Sequence, residues 1–338
     1  MLKTILKIVA VIVLIPLLYV GGHLLYGTLT DFQPEEVETV AVANVQQAMP
    51  DSIITLITWN IGYGGLGEES DFFYDGGTTV RMSEDIVAKN CDGILATLKE
   101  LDTVDVFLIQ EIDTLAKRSW HRNEHRSVSE ALSGHNASFA LNYRVDFVPI
   151  PFLDPMGKVM AGLGTYGRFA TTAANRYQFP SSFPWPNSIY FLDRCFLEQR
   201  TPLANGKELI ILNTHNSAYD ADGTLKAAEL GYLKAYLQKE EAKGNLVVVG
   251  GDWNQGAPGT GFREADPDFM PGWKWAFDTS FGTNRDLKAA YVAGQTETFV
   301  IDFFLVSPGL VVEEVRVLNK DFKHSDHQPV YLRVRVGE

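Results

Sequence analysis

The sequence predicts an α/β domain of sandwich type, preceded by one membrane-type helix. Three observations carry that expectation. Short runs of β-branched and other apolar residues recur along the chain, and several end in Asn, Gln-Glu, His or Asp. Between some of them lie stretches whose apolar residues recur at helical spacing. The amino terminus is different in kind: Lys3 and Lys7 precede an uncharged run from Ile8 to Val20 that continues through Gly21, Gly22 and His23 to Tyr26.

At 338 residues, 46% hydrophobic and 12% aromatic, the chain is long and apolar enough to build one large core. The net charge of −13 is opposite to that of most proteins that grip a nucleic-acid backbone, so nucleic acid is disfavoured as a substrate, although a local basic groove can sit within an acidic total. Two cysteines, Cys91 and Cys195, are too few for a disulfide framework; they either pair or lie buried as small apolar residues. No Cys/His cluster has the spacing of a zinc site.

Residues 1–27 are expected to be an uncleaved signal anchor or transmembrane helix. The apolar run is just long enough to span, Pro16 permits a kink, and no small-residue cleavage site follows closely. With both lysines ahead of the run, the remainder is expected to be extracytoplasmic and membrane-anchored; cleavage and secretion is the second reading. Residues 28–51, with Pro34-Glu35-Glu36 and no firm periodicity, read as a tether. Residues 52–338 form the folded domain.

Ile53 to Asn60 reads as a buried strand ending in an amide. Ile61 to Gly67 follows as a glycine-rich turn containing Tyr63, with neither P-loop nor dinucleotide spacing. Ser83 is placed as an N-cap, with Glu84 and Asp85 in the first turn and Val87, Cys91, Ile94, Leu98 and Leu101 on one helical face. A strand over Val104 to Ile109 then ends in Gln110-Glu111. From Tyr143 to Pro186 the chain is rich in proline and aromatic residues around a short glycine-rich strand near Met160 to Phe169. These loops read either as well-packed irregular structure or as an apolar lip that meets lipid or an acyl group.

Arg194 to Glu198 and Glu208 to Asn213 are strands, the second running into Thr214-His215. A helix over Asp222 to Ala242 leads to Leu246-Val247-Val248-Val249-Gly250-Gly251-Asp252-Trp253-Asn254. Here a buried strand is expected to turn sharply at two glycines, presenting Asp252 and Asn254 side by side. Taken alone, Gly-Asp-x-Asn also fits an ordinary turn. Thr298 to Val306 is a strand carrying Asp302 among apolar residues, a position that demands a partner. Ser325-Asp326-His327, just before the closing strand Pro329 to Val336, is expected to supply it.

In order and spacing, Asn60, Gln110-Glu111, Thr214-His215, Gly251-Asp252-Trp253-Asn254, Asp302 and Ser325-Asp326-His327 resemble the endonuclease/exonuclease/phosphatase superfamily over about residues 52 to 337. The resemblance implies a four-layer α/β/β/α sandwich of two mainly antiparallel sheets, and Mg²⁺-dependent phosphoester hydrolysis, with Mn²⁺ as an alternative ion. It assigns Glu111, Asn60 and Asp326 to the metal, and His327 as general base oriented by Asp302. His215 and Asn254 would donate to the phosphoryl oxygen, and Asp252 would orient or deprotonate the water. Arg168 and Tyr63 are carried over as substrate contacts. The usual Ser-Arg pair is here Gly167-Arg168, and no second acid to buttress His215 is apparent. The resemblance leaves the substrate open. A tethered phosphodiesterase acting on lipid head groups, in the manner of a sphingomyelinase, is favoured over an extracytoplasmic nuclease or a small-molecule or inositol phosphatase. A binding protein that kept the fold and lost turnover is the alternative of another class.

Overall fold

The computed structural model describes residues 2–43 and 52–337. The last part of the expected tether, 44–51, lies outside the described residues.

Helix α1 (Leu2–Thr30) is followed by two short strands, β1 (Val37–Thr39) and β2 (Val42–Ala43). Then come β3 (Ile53–Asn60), α2 (Glu84–Glu100), β4 (Val106–Asp113), α3 (Glu124–Ala131), β5 (Asn136–Val148), β6 (Gly157–Gly167) and β7 (Ala173–Gln178). The second half holds β8 (Cys195–Pro202), β9 (Glu208–His215), α4 (Thr224–Ala242), β10 (Leu246–Asp252) and β11 (Lys274–Ala276). It closes with β12 (Asn284–Arg285), β13 (Thr298–Phe299), β14 (Asp302–Val306), β15 (Leu310–Val317) and β16 (Val330–Val336).

One sheet runs β15-β16-β3-β4-β6-β5-β2 and the other β1-β7-β8-β9-β10-β14-β11, while β12 and β13 form a separate ribbon. Each sheet contains one parallel pair, β3–β4 or β9–β10, among antiparallel neighbours. A parallel pair needs a crossover, and α2 and α4 supply the two.

The sheets stack face to face. Leu56 and Leu108 meet Ile211, Val248 and Phe304 between them. Ile57, Trp59, Phe107 and Ile109 face the opposite way, under Ile94 and Leu98 of α2 and Val128 of α3. Ile210, Leu212, Val247 and Val249 pack beneath Leu233 and Leu237 of α4. Four layers result, and burial on both faces explains why these strands read as continuous apolar runs.

Several elements differ from expectation. The segment after α1 is not a free tether as far as Ala43: β1 pairs with β7 and β2 with β5, so it adds a strand to the edge of each sheet and satisfies backbone groups left open there. The expected strand from Thr298 to Val306 is two strands, because β13 pairs with β12 and only β14 joins the large sheet. Asp302 is therefore the first residue of a strand. Gly250 and Gly251 do not turn the chain; both stay in register between β9 and β14. They are small because space is short: a Cβ on Gly251 would lie 2.0 Å from the Thr214 carbonyl oxygen, and one on Gly250 would lie 2.5 Å from the Phe304 ring. Both cysteines are free, Cys91 half-buried and Cys195 buried.

The most apolar 18-residue stretch of helix α1 has a mean hydropathy of 2.5, and no residue of the helix is buried. It is long and apolar enough to cross a membrane, and a signal sequence has the same character.

Candidate active site

Side-chain alternation delivers most of the site. In β3 the inner face carries Leu56, Thr58 and then Asn60; in β9, Ile211, Asn213 and His215; in β10, Val248, Gly250 and Asp252. Because β3 and β9 are the parallel partners of β4 and β10, these inward side chains converge at one end of the sandwich.

Glu111 reaches the same place by another route. It does not end its strand, since β4 continues to Asp113. The ladder between β4 and β6 slips between Ile109 and Ile112, and Glu111 adopts φ of 53°. A bulge with a left-handed residue thus turns inward a side chain that simple alternation would place outside. Asn254 and Tyr63 also have positive φ, 49° and 43°. Left-handed backbone at three non-glycine residues around one cleft is the strain expected where geometry serves chemistry.

Asn60 Nδ2 donates to Glu111 Oε1 at 3.1 Å and to Asp252 Oδ2 at 3.0 Å, and the Gly62 amide donates to Asn60 Oδ1. His215 Nε2 stands 3.4 Å from Asp252 Oδ2 and 3.9 Å from Glu111 Oε1. His327 Nδ1 lies 2.8 Å from Asp302 Oδ2, and its Nε2 lies 3.8 Å from both Asp252 Oδ2 and Asp326 Oδ2. Ser325 Oγ donates to the Asn60 carbonyl and accepts from the His327 amide, tying the closing loop to β3. Beyond Asp252 the chain turns: the Asn254 amide donates to Asp252 Oδ1, and its Nδ2 donates to the Asn216 carbonyl. The extended geometry expected to set Asp252 and Asn254 side by side therefore ends at Asp252, yet both still face the cleft.

The surroundings of the two histidines push their protonation in opposite directions. Burial, reinforced by Arg194, His327 and Arg118, keeps His215 well below the usual imidazole range. Its Nδ1 has no hydrogen-bond partner among the described residues. Burial also opposes the charged form of His327, but Asp302, Asp326 and Asp252 together raise it well above the usual range. Burial pushes Asp326 up to about 7 against the pull of His327, with Glu111 adding to the rise. Asp252 is pushed to about 6 by burial, with His327 opposing and Asp302 adding.

This surplus of buried carboxylate suits a divalent cation. The ligand atoms of Asp252, Asp302 and His327 lie within 4.8 Å of one another, but one Asp302 oxygen is already committed to His327. The remaining carboxylates, Glu111 and Asp326, are the hard oxygen type that Mg²⁺ takes, whereas Asn60 turns its Nδ2 to the acids and its Oδ1 to the Gly62 amide. Glu111 and Asp252 converge on Asn60 Nδ2, a partial positive charge occupying the place where a full one would be more favourable.

Sequence reasoning missed three residues. Asn284 Nδ2 lies 3.0 Å from His327 Nε2, but it comes from a two-residue strand with no local signature. Arg118 is buried, bound to Asp113 at 2.9 Å, and stacks 3.7 Å from the Tyr63 ring centroid; Arg194 reaches the His215 carbonyl. Both arginines line the cleft. Arg168, expected at the substrate, is at the other end of the molecule. Because β6 runs antiparallel to β4, its end abuts the start of β4, where the Arg168 amide donates to Asp105 and its Nε donates to His135. Tyr63 does line the cleft, fully buried.

A cleft with paired acids, two histidines in opposed electrostatic surroundings and arginines in its lining suits the hydrolysis of a phosphoester. Residues 57–327 match the model of the Endonuclease/Exonuclease/phosphatase family, and the chain belongs to that family. The family is in general dependent on a divalent metal. No curated protein matches the sequence. Among solved structures, the fold is similar to an endonuclease/exonuclease/phosphatase from Beutenbergia cavernae DSM 12333, with TM-score 0.59 and 17% identity over 84% of this chain and 72% of that one. It is also similar to D. rerio TDP2 complexed with a single-strand DNA product, with TM-score 0.55 and 14% identity over 85% and 100%. A third likeness is to ANGEL2, a 2',3'-cyclic phosphatase, with TM-score 0.56 and 14% identity over 89% and 99%.

Proposed function

We propose that this chain is a membrane-tethered, Mg²⁺-dependent phosphodiesterase that hydrolyses the head groups of lipids. The observation that carries the reading is the composition of the cleft. Its volume is about 740 Å³, and its lining combines Glu111, His215, Asp252 and His327 with the apolar side chains of Val148, Pro149, Ile150, Met156, Phe183 and Phe191. A soluble phosphate ester gives that apolar lining nothing to cover, whereas an acyl chain or ceramide-like body does.

In this reading Glu111 and Asp326 hold the cation, whose contribution is to neutralise phosphoryl charge. His327 accepts the proton of the attacking water, with Asp302 fixing the ring and stabilising the imidazolium that forms. Asp252, within 4 Å of both histidines, positions that water. His215 and the Asn254 amide donate to the phosphoryl oxygen, and Arg118 and Arg194 place fixed positive charge in the lining. With its Nδ1 unpartnered among the described residues, the His215 ring lacks a counterpart to the carboxylate that orients His327.

A nuclease reading is the second. It is favoured by the arginines in the cleft and by the likeness to a TDP2 carrying a DNA product, and disfavoured by the net charge of −13. The test is Mg²⁺-dependent hydrolysis by the full chain of sphingomyelin in phosphatidylcholine vesicles, plasmid DNA and bis(4-nitrophenyl) phosphate, with His327→Ala as the blank. Lipid turnover absent from the blank supports the proposal. DNA nicking without lipid turnover replaces it with the nuclease, and silence on all three refutes both.

A further inference from the structure

We infer that the loop joining β5 to β6, with Phe152 and Leu153 at its tip, is inserted in the same bilayer that α1 crosses, so that the cleft opens sideways onto that membrane surface. The inference rests on the reading of α1 as a span and of the cleft as a phosphodiesterase site.

Three contacts run in step along α1. Tyr26 donates to Asp146 at 3.0 Å, His23 stacks on Phe147 with ring centroids 5.2 Å apart, and Tyr19 meets Phe152 edge-on at 6.5 Å. The end of β5 and the loop after it therefore descend beside the helix, towards its lysine-bearing end. On the connection between β7 and β8, Trp185 Nε1 donates to Thr28, and the Ile189 side chain lies against Gly27.

The depth follows from helix geometry. With Lys7 held at one edge, a hydrocarbon core of about 30 Å at 1.5 Å per residue is crossed in about 20 residues, near Gly27. Tyr26, Asp146 and the Lys158 paired with Asp146 then sit at the level of the head groups. Tyr19 and the Phe152 ring against it lie about 12 Å further in, less if the helix tilts.

The exposed side chains agree with that placement. Phe152 is 75% exposed, Leu153 93% and Trp185 60%. In a soluble domain such a tip is a liability, and here it stands beside a helix that has no buried residue of its own. The one charge next to the tip, Asp154, is neutralised by Arg81 at 2.7 Å. Pro149 and Ile150 of the same loop line the cleft while Phe152 and Leu153 do not, so one loop joins the bilayer to the site. A lipid ester can then pass from leaflet to floor along apolar surface without crossing water.

The test uses the full chain in vesicles of phosphatidylcholine and sphingomyelin. Phe152→Cys carries an environment-sensitive fluorophore, unsubstituted protein gives the background from Cys91 and Cys195, and Asn205→Cys labels the exposed turn between β8 and β9 at the far end of the strands. The expected result is blue-shifted emission at position 152, quenched by nitroxide on lipid acyl chains and not by aqueous iodide, with the reverse at position 205. Iodide quenching at position 152 overturns the inference whether or not the protein turns over any substrate. Replacing both Phe152 and Leu153 by Ser is expected to cut hydrolysis of vesicle sphingomyelin at least about tenfold, with bis(4-nitrophenyl) phosphate hydrolysis unchanged. Equal loss on both substrates overturns the access route, and a parent protein inactive on both overturns the enzymatic reading while leaving the depth result to stand or fall by itself.

Discussion

Replacing Asp326 with Asn should stabilise the metal-free protein at pH 8 while abolishing its response to Mg²⁺. Burial, opposed by His327 and reinforced by Glu111, raises the Asp326 carboxyl from 3.8 to about 7. A carboxyl whose folded pKa exceeds its unfolded one favours folding while protonated; that contribution is whole below 3.8 and is lost as pH rises towards about 7. A rise of about three units corresponds to about 4 kcal/mol at pH 8, an upper bound because a real site relaxes. Asn keeps the shape and removes the charge, so in urea denaturation with EDTA the variant should gain about 2–4 kcal/mol at pH 8, a gain that shrinks steadily as pH falls to 5. Millimolar Mg²⁺ should raise the midpoint of the unsubstituted protein and leave that of Asp326→Asn where it was. A variant no more stable at pH 8, or one whose difference does not depend on pH, would refute the claim that Asp326 is held charged at a cost that a cation relieves.

Three further expectations concern the residues around it. His327→Ala should lose about 10²–10⁴ in kcat with an unchanged circular dichroism spectrum, because a positioned base contributes that much; retention of more than a tenth of the rate would remove His327 from the role. Glu111→Gln should shift the Mg²⁺ activation curve to higher concentration, and an unmoved curve would count against Glu111 as a ligand. Gly251→Ala should destabilise by about 3 kcal/mol or more, since the new Cβ would sit 2.0 Å from the Thr214 carbonyl oxygen, which belongs to the paired backbone of β9. Denaturation midpoints measure it, and a near-neutral result would mean that β9 and β10 can separate without penalty.

What could be read in the sequence, and what could not, divides along the reach of the interactions. The buried strands ending in Asn60, His215 and Asp252 were legible because their apolar runs are local and alternation then fixes the facing of the terminal residue. The α2 and α4 helices were legible for the same reason. The sequence puts Glu111 at the end of its strand, whereas β4 continues to Asp113 through a bulge created by mismatch with β6, some fifty residues away in the chain. The partner of Asp302 could be inferred from the cost of burying a lone charge. Asn284 could not, since its signal is contact with His327 across 43 positions. Arg168 was misplaced because a motif gives position along the chain and not which end of an antiparallel strand carries the site. The glycines of β10 were read as a turn from their φ freedom, when close packing against Thr214 and Phe304 was the reason for their size.

The two histidines explain why a site so rich in buried acid is worth its instability. Each imidazole is fully buried, so burial alone would leave both neutral. Burial, with Arg194, His327 and Arg118 adding to it, lowers His215 even though Asp252 and Glu111 stand within 4 Å of its Nε2. Asp302, Asp326 and Asp252 outweigh burial and raise His327 above the usual imidazole range. Once the charge on Asp326 is matched by a bound cation, one of the three supports of the His327 proton is gone, and the imidazole moves back towards the neutral form that can accept a proton from water. On the proposed function, a cation on these acids would thus shift His327 from acid towards base, the state in which it can take a proton from water.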